Sequence, residues 1–412
     1  MTARSTRPRL ALTLVVTEGF LGRLTFGMVS FALPLYAFSL GLSLAEIGLV
    51  VAVRTVVAIV LKPIAGTMAD RVGVRAVYMA GTFARVLAAA VLLVVDDLVG
   101  LSAVRVLQGA SAAGRDIASL SVIARDASQR IGTVYSWYST AKHIGGVAGA
   151  AVAGGVLGIT DGSFAPLFWL VLLLSALPMA AAWLALREAP QIESFRLPPA
   201  DRSVAAGRLA ATLALARELS GPASLGMLVA TSAYMVHGLF PVLATDYAGL
   251  TAAETGAIYS LSALVFLLTG PPFGWAVDRY GHSVGTLWRS LANIGSSILF
   301  MVSPTFAGFA AGRALDDSGK AAFRPAWATL ISGVADADPP RRGRRLGVLD
   351  TSETVGEAIG PALAGLLWQT GGIVALFGVR IGIAAVAEVV AFRTLRREHG
   401  TQRQREAARA PA

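Results

Sequence analysis

The sequence predicts an all-α membrane protein whose twelve transmembrane helices form two pseudo-symmetric six-helix bundles. Three observations carry that prediction. Of 412 residues, 55% are hydrophobic and 15% charged, with a mean hydropathy of +0.65, whereas a soluble domain carries about 25% charged residues. The apolar residues gather into twelve runs, each long enough for a helix to cross a bilayer, which needs about 20 residues. Finally, the string Gly66-Thr67-Met68-Ala69-Asp70-Arg71-Val72-Gly73-Val74-Arg75 returns 208 positions later as Gly274-Trp275-Ala276-Val277-Asp278-Arg279-Tyr280-Gly281.

In order, the runs cover 10–38, 44–66, 76–95, 99–123, 133–158, 164–186, 222–247, 254–276, 284–303, 305–333, 348–370 and 372–392. The first carries Glu18 and Arg23 and is too long for the apolar region of a cleaved secretory signal. One long polar interval, 187–221, contains Pro190, Pro198 and Pro199 and separates an N-terminal bundle, 1–186, from a C-terminal bundle, 222–393. Within this linker, Ser203 to Ser220 lacks proline and sets Arg208 and Arg217 among Leu209, Leu213 and Leu215. That pattern reads either as an amphipathic helix on the membrane surface or as a flexible tether. The tail, 394–412, is rich in arginine with little to bury and is expected to be disordered past a turn or two.

The net charge of +10 sorts by side of the membrane rather than marking a nucleic-acid partner. Arg4, Arg7 and Arg9 precede the first run, and Arg71, Arg75, Arg125, Arg130, Arg279, Arg341, Arg342, Arg344 and Arg345 occupy alternate turns. The opposite turns or their edges hold Asp96, Asp97, Asp161, Asp246 and Glu254 and no basic residue. By the positive-inside rule, both termini and both copies of the repeated string are cytoplasmic, in a cell inner (plasma) membrane. Each copy follows a proline at the same distance, Pro63 and Pro271, and lies between two runs. It is therefore a short turn in which Gly66, Gly73, Gly274 and Gly281 admit close helix approach, while Asp70, Arg71, Arg75, Asp278 and Arg279 latch something across it.

Charges inside the bilayer cost about 2.5–3.5 kcal/mol each at mid-depth, so each must face the bundle interior or a watery cavity and find a partner. Glu18, Arg23, Arg54, Arg85, Arg105, Lys142, Arg289, Arg313, Asp316, Asp317, Lys320, Glu353, Glu357, Arg380 and Glu388 all fall within runs. The tenth run stands out. Arg313, Asp316, Asp317, Lys320 and Arg324 occupy roughly a 100° arc of one helix, either as structural ion pairs, Arg313 with Asp317 and Asp316 with Lys320, or as the lining of a path. In the fifth and eleventh runs, Gly145 and Gly149 match Gly356 and Gly360, a spacing that lets backbones pack closely. Aligning these glycines sets Lys142 opposite Glu353 as a cross-bundle pair, or as ordinary packing neighbours.

The repeated string resembles the signature loop of the major facilitator superfamily, G-x-x-x-D-R/K-x-G-R/K-R/K, carried between helices 2 and 3 and repeated more loosely between helices 8 and 9. The first copy departs from it at Val74, and the second at His282 and Ser283. Arg105-Val106-Leu107-Gln108-Gly109 resembles the family's R-x-x-Q-G stretch in helix 4, with Arg313 as its counterpart. The resemblance implies a role for Arg105 in moving or sensing a proton; a buried arginine bonded to backbone carbonyls is the alternative. Gly145 to Gly155 resembles the antiporter stretch G-x-x-x-G-P-x-x-G-G, with Ala150 in place of its proline.

Catalysis is poorly supplied: four histidines, no cysteine, no metalloprotease helix motif, no phosphate-binding loop and no nucleophile elbow. No cofactor, metal or catalytic residue is expected. The resemblance implies a secondary active transporter working by alternating access, with a small-molecule substrate, a proton and the bilayer as expected partners; a sensor or scaffold on the same fold is the alternative of another class. The family patterns imply proton-coupled, multidrug-like export of an organic small molecule. The excess of basic residues within the runs favours instead uptake or exchange of an anionic metabolite.

Overall fold

The computed structural model describes residues 8–126, 131–188, 214–338 and 341–409. The first six helices are α1 (Pro8–Ser39), α2 (Leu44–Val72), α3 (Val74–Val91), α4 (Leu98–Asp126), α5 (Ile131–Ile159) and α6 (Phe164–Glu188). The second set begins with α7 (Ser220–His237) and continues with α8 (Ala252–Tyr280), α9 (Ser283–Val302) and α10 (Phe306–Asp336). The helical stretch Arg342–Arg409 turns at Gly372, whose φ of 69° no helix contains, and so comprises α11 (342–371) and α12 (373–409). These are the twelve expected spans.

Three expectations are corrected. The seventh span is not continuous: after His237 a three-residue helix Phe240–Val242 leads into a π-helical turn Leu243–Tyr247, bent 44° from α7. Gly238 and Pro241 are the cause, since proline has no N–H to donate to the preceding turn. The tail expected to be disordered is helical as far as Arg409, because its Gln, Glu, Ala and Arg residues are all good helix formers. The third span is displaced towards the N-terminus, beginning at Val74 and ending at Val91. The amphipathic-helix reading of Ser203 to Ser220 falls mostly outside the described residues; its end, 214–218, is helical and buries Leu215 beside Leu219.

Local signals explain why these helices start and stop where they do. At the head of α2, Ser43 Oγ accepts from the Glu46 N–H at 3.3 Å and Glu46 Oε2 accepts from the Ser43 N–H at 2.8 Å. At the head of α8, Thr251 and Glu254 make the same reciprocal bonds at 3.1 and 2.8 Å. Each pair satisfies N–H groups the helix leaves orphaned. Both helices also end alike. Gly73 and Gly281 adopt φ of 94° and 86°, and their N–H groups donate to Ala69 O and Val277 O at 3.1 and 2.8 Å.

Among the described residues, seven helices are long and apolar enough to cross a membrane by composition alone, or eight if the bent seventh span is counted. Helices α4, α9 and α10 fall short because they carry the buried charges and, in α9, a run of serine and asparagine. Outward faces display Leu49, Val60, Leu173, Leu267, Leu268 and Val386, the apolar surface that acyl chains cover.

By packing, the chain divides into two compact units, one of 1–199 with 238–263 and one of 200–237 with 264–412. In the first, α5 lies so close to α1 that a side chain on Gly145 or Gly149 would strike the carbonyls of Phe20 and Leu24. Its core gathers Val15, Val77, Tyr78, Ala113, Tyr138 and Leu186. Gly154 of α5 also meets the backbone of α8 at Gly256, and Tyr259 stands edge-on to Phe31 at 5.6 Å. In the second unit, α11 meets α7 by the same device: Gly356 faces the Met227 carbonyl and Gly360 faces that of Thr231. Small residues four apart thus seat equivalent helix pairs in the two bundles.

Candidate functional site

In the first bundle α1 carries Glu18 into a fully buried position. Tyr78 of α3 donates its hydroxyl to Glu18 Oε2 at 3.0 Å, and Arg115 of α4 donates Nε to Oε1 at 2.6 Å. Arg85 of α3 stands farther off, its Nη1 3.9 Å from the same Oε1. Gly22, one turn along α1, leaves the space that the Arg85 and Arg115 guanidinium groups occupy. On the next position of α4, Asp116 takes Lys142 of α5 at 3.2 Å, and the Lys142 ammonium lies 4.8 Å over the Tyr138 ring.

These groups border a recess that offers about 40 Å³ to water-sized molecules. Arg23, Arg54, Arg85 and Arg115 line it, with Asp116 as the carboxylate among its walls. Phe26 forms an aromatic wall, with the Arg54 guanidinium 4.1 Å and the Arg23 guanidinium 5.3 Å from its ring centre, a distance at which ring and cation attract. Gln108, Ser111 and Ser175 supply polar atoms. Arg105 lies behind this wall, 2% exposed, and donates to Gln108 Oε1 at 3.0 Å; its partner is thus the glutamine of its own R-x-x-Q stretch.

The second bundle holds its charges in a closed network. Asp316 of α10 accepts from Arg289 of α9 at 2.9 Å, from Arg380 of α12 at 2.6 Å and from Lys320 at 2.7 Å. Asp317 pairs with Arg313 at 3.0 Å and Lys320 at 2.8 Å. Arg380, fully buried, also donates to the Ser232 carbonyl and to the hydroxyls of Ser296 and Ser297. The two ion pairs expected within the α10 stripe are present: Arg313 with Asp317, and Asp316 with Lys320. On α11, Glu353 accepts from the Trp327 indole at 3.1 Å, and Glu357 is part-buried one turn on. Within its own unit, Lys142 pairs with Asp116 and Glu353 with the Trp327 indole.

The two signature turns share one shape, but its cause differs from the one expected. A Cβ on Gly73, Gly274 or Gly281 would meet nothing within 4 Å. Gly73 and Gly281 serve the positive φ of the turn, where L side chains are disfavoured, rather than close approach. Arg71, Arg75, Asp278 and Arg279 are exposed, and Arg279 rests 5.8 Å from the rings of Trp275 and Tyr280. Among the described residues, Asp278 enters no ion pair.

Among the predicted residues, Glu18, Arg23, Arg54 and Lys142 come together at or beside the recess, and Arg313, Asp316, Asp317 and Lys320 join in the network. Arg115, Asp116, Ser111, Ser175 and Tyr78 were not anticipated. For Arg115 and Asp116 a signal existed: Arg105, Gln108, Arg115, Asp116 and Ser119 fall within about a 100° arc of α4, the same polar stripe that α10 shows.

A family model for the Major Facilitator Superfamily matches residues 19–225 and 222–412. The methylenomycin A resistance protein of Bacillus subtilis is 28% identical over 158 residues, 38% of this chain and 33% of that protein, so the match spans about a third of the relative's length. In architecture, the nucleoside transporter NupG superposes with a TM-score of 0.73 at 17% identity, covering 93% of this chain and 98% of that one. The human organic anion transporter MFSD10 (TETRAN) gives 0.64 at 15% identity, covering 93% and 99%.

Proposed function

The chain belongs to the Major Facilitator Superfamily, a family of multi-pass membrane transporters and not of enzymes, and we propose that it moves an organic small molecule by alternating access, coupled to protons. The observation that carries the coupling is Glu18: a carboxylate with no exposed surface, held by Arg115 and Tyr78, while Arg115 itself lines a polar recess. A buried carboxylate whose ion-pair partner can be drawn elsewhere is a site that is alternately charged and protonated.

Export is the direction supported by the likeness to the methylenomycin A resistance protein. A second reading, uptake or exchange of an anionic metabolite, draws on the arginines of the recess. Sodium is the alternative coupling ion. Asp70, Arg71, Asp278 and Arg279 are assigned to cytoplasmic turns that steady the outward-open state, with both termini on that side. The test is solute flux into proteoliposomes under an imposed pH gradient. Flux that follows the gradient in the wild type, and loses that dependence in Glu18→Gln, is the expected result; flux indifferent to the gradient refutes proton coupling. Asp70→Asn is expected to lose transport while keeping its expression level, and normal flux in that variant removes the gating role.

A further inference from the structure

We infer that the arginine-lined recess of the first bundle is a subsite for the carboxylate head group of an organic anion, the solute of the transport function proposed for this chain. Four guanidinium groups, of Arg23, Arg54, Arg85 and Arg115, line a recess in which Asp116 is the sole acidic residue, and Asp116 is already bound by Lys142 at 3.2 Å. Two further groups point to a ligand. The hydroxyls of Ser111 and Ser175, on residues 2% and 1% exposed, line the same recess and have no hydrogen-bond partner among the described residues. Buried hydroxyls are almost always bonded, and two such donors beside four cations suit an acceptor that brings negative charge. Arg85 Nη1 is likewise buried without a hydrogen bond, 3.9 Å from the nearest carboxylate oxygen. About 40 Å³ admits a few waters or a small planar head group, and planar guanidinium forks match a carboxylate edge to edge.

Arg115 makes this subsite consequential for coupling. Its guanidinium holds Glu18, and the same residue lines the recess. An anion seated in the recess draws Arg115 and Arg85 towards itself. Glu18 then keeps Tyr78 of α3 as its donor, with Tyr138 of α5 beside it; Lys142 on α5, Asp116 on α4 and Arg23 on α1 are the charged groups one contact further, around Arg115. A carboxylate buried without its ion pair takes a proton from solvent. Anion and proton therefore load together and travel in one direction, so the subsite rests on the second reading given above, uptake of an anionic metabolite, and not on export by proton exchange.

The experiment uses the purified full chain in detergent, with acetate, benzoate and citrate set against benzyl alcohol, tetraphenylphosphonium and inorganic phosphate. Thermal stabilisation and proton uptake in weak buffer are read together. At least one carboxylate is expected to raise the melting temperature and to draw in one proton per molecule bound, while the neutral and cationic compounds do neither. Arg85→Gln, and separately the conservative pair Ser111→Ala and Ser175→Ala, should weaken carboxylate binding by about tenfold or more in protein that stays monodisperse. Glu18→Gln should bind the carboxylate and lose the proton uptake. Stabilisation by no carboxylate, equal stabilisation by benzyl alcohol, phosphate acting where carboxylates do not, or unaltered binding in the serine variant would each overturn the assignment. Binding needs no flux, so carboxylate binding in a protein that transports nothing refutes the transport function and leaves the subsite standing.

Discussion

Both bundles bury a set of basic residues against two aspartates or glutamates, and they use them in opposite ways. In the second bundle Asp316 and Asp317 consume Arg289, Arg313, Lys320 and Arg380 in contacts of 2.6 to 3.0 Å. In the first, Glu18 and Asp116 engage Arg115 and Lys142 at similar range, while Arg85 stands at 3.9 Å and faces a recess with Arg23 and Arg54. Charge in a low-dielectric interior must be balanced by something. In the second bundle every one of these cations touches a carboxylate, while in the first Arg85 stands off from Glu18, the difference on which the proposed subsite rests.

The largest expected effect tests the second bundle. Asp316→Asn removes the charge that three buried cations share, and breaking a buried ion pair costs about 3–5 kcal/mol. That variant should fail to accumulate as monodisperse protein, or melt far below the wild type in detergent. Glu18→Gln also breaks a buried ion pair, but the glutamine oxygen still accepts from Arg115 and its amide N–H can donate to the Tyr78 hydroxyl, so with one paired cation stranded rather than three it should melt between Asp316→Asn and the wild type. Equal damage from the two substitutions would erase the distinction between the bundles. The smallest effect probes what they share. Gly73→Ala and Gly281→Ala each force a side chain into a positive-φ backbone, at a cost of about 1–3 kcal/mol, and should lower the melting temperature by similar amounts. A marked difference between them would mean that the two turns, alike in shape, carry unequal loads.

Much of this architecture is legible in the sequence because the bilayer allows few solutions. Run length sets the spans, and the repeat at 208 positions sets the pairing of α2 with α8, down to capping boxes at Ser43 and Thr251. Gly145, Gly149, Gly356 and Gly360 foretell which helices pack closest, though not that their partners are α1 and α7. The break after His237 was hidden because Gly238 and Pro241 sit inside an otherwise apolar run. For the recess, Glu18, Arg23 and Arg54 are visible as misplaced charges, but their convergence is not. Glu18 meets Tyr78 and Arg115, 60 and 97 positions away, and no periodicity within one helix reports the rotation of three helices about a shared interior. Ser111 and Ser175 are less visible still, since lone serines in a membrane helix normally bond to their own backbone.

Gly22 has no chemistry of its own to offer a solute. Yet any Cβ at that position on α1 would collide with the Arg85 guanidinium and come within 2.8 Å of Arg115 Nη2. A single methyl group there displaces both cations and alters the width of the opening between them. On the proposed subsite a neutral residue thus controls size, and a series of substitutions at Gly22 is expected to shift which carboxylates bind without altering the charge of the protein.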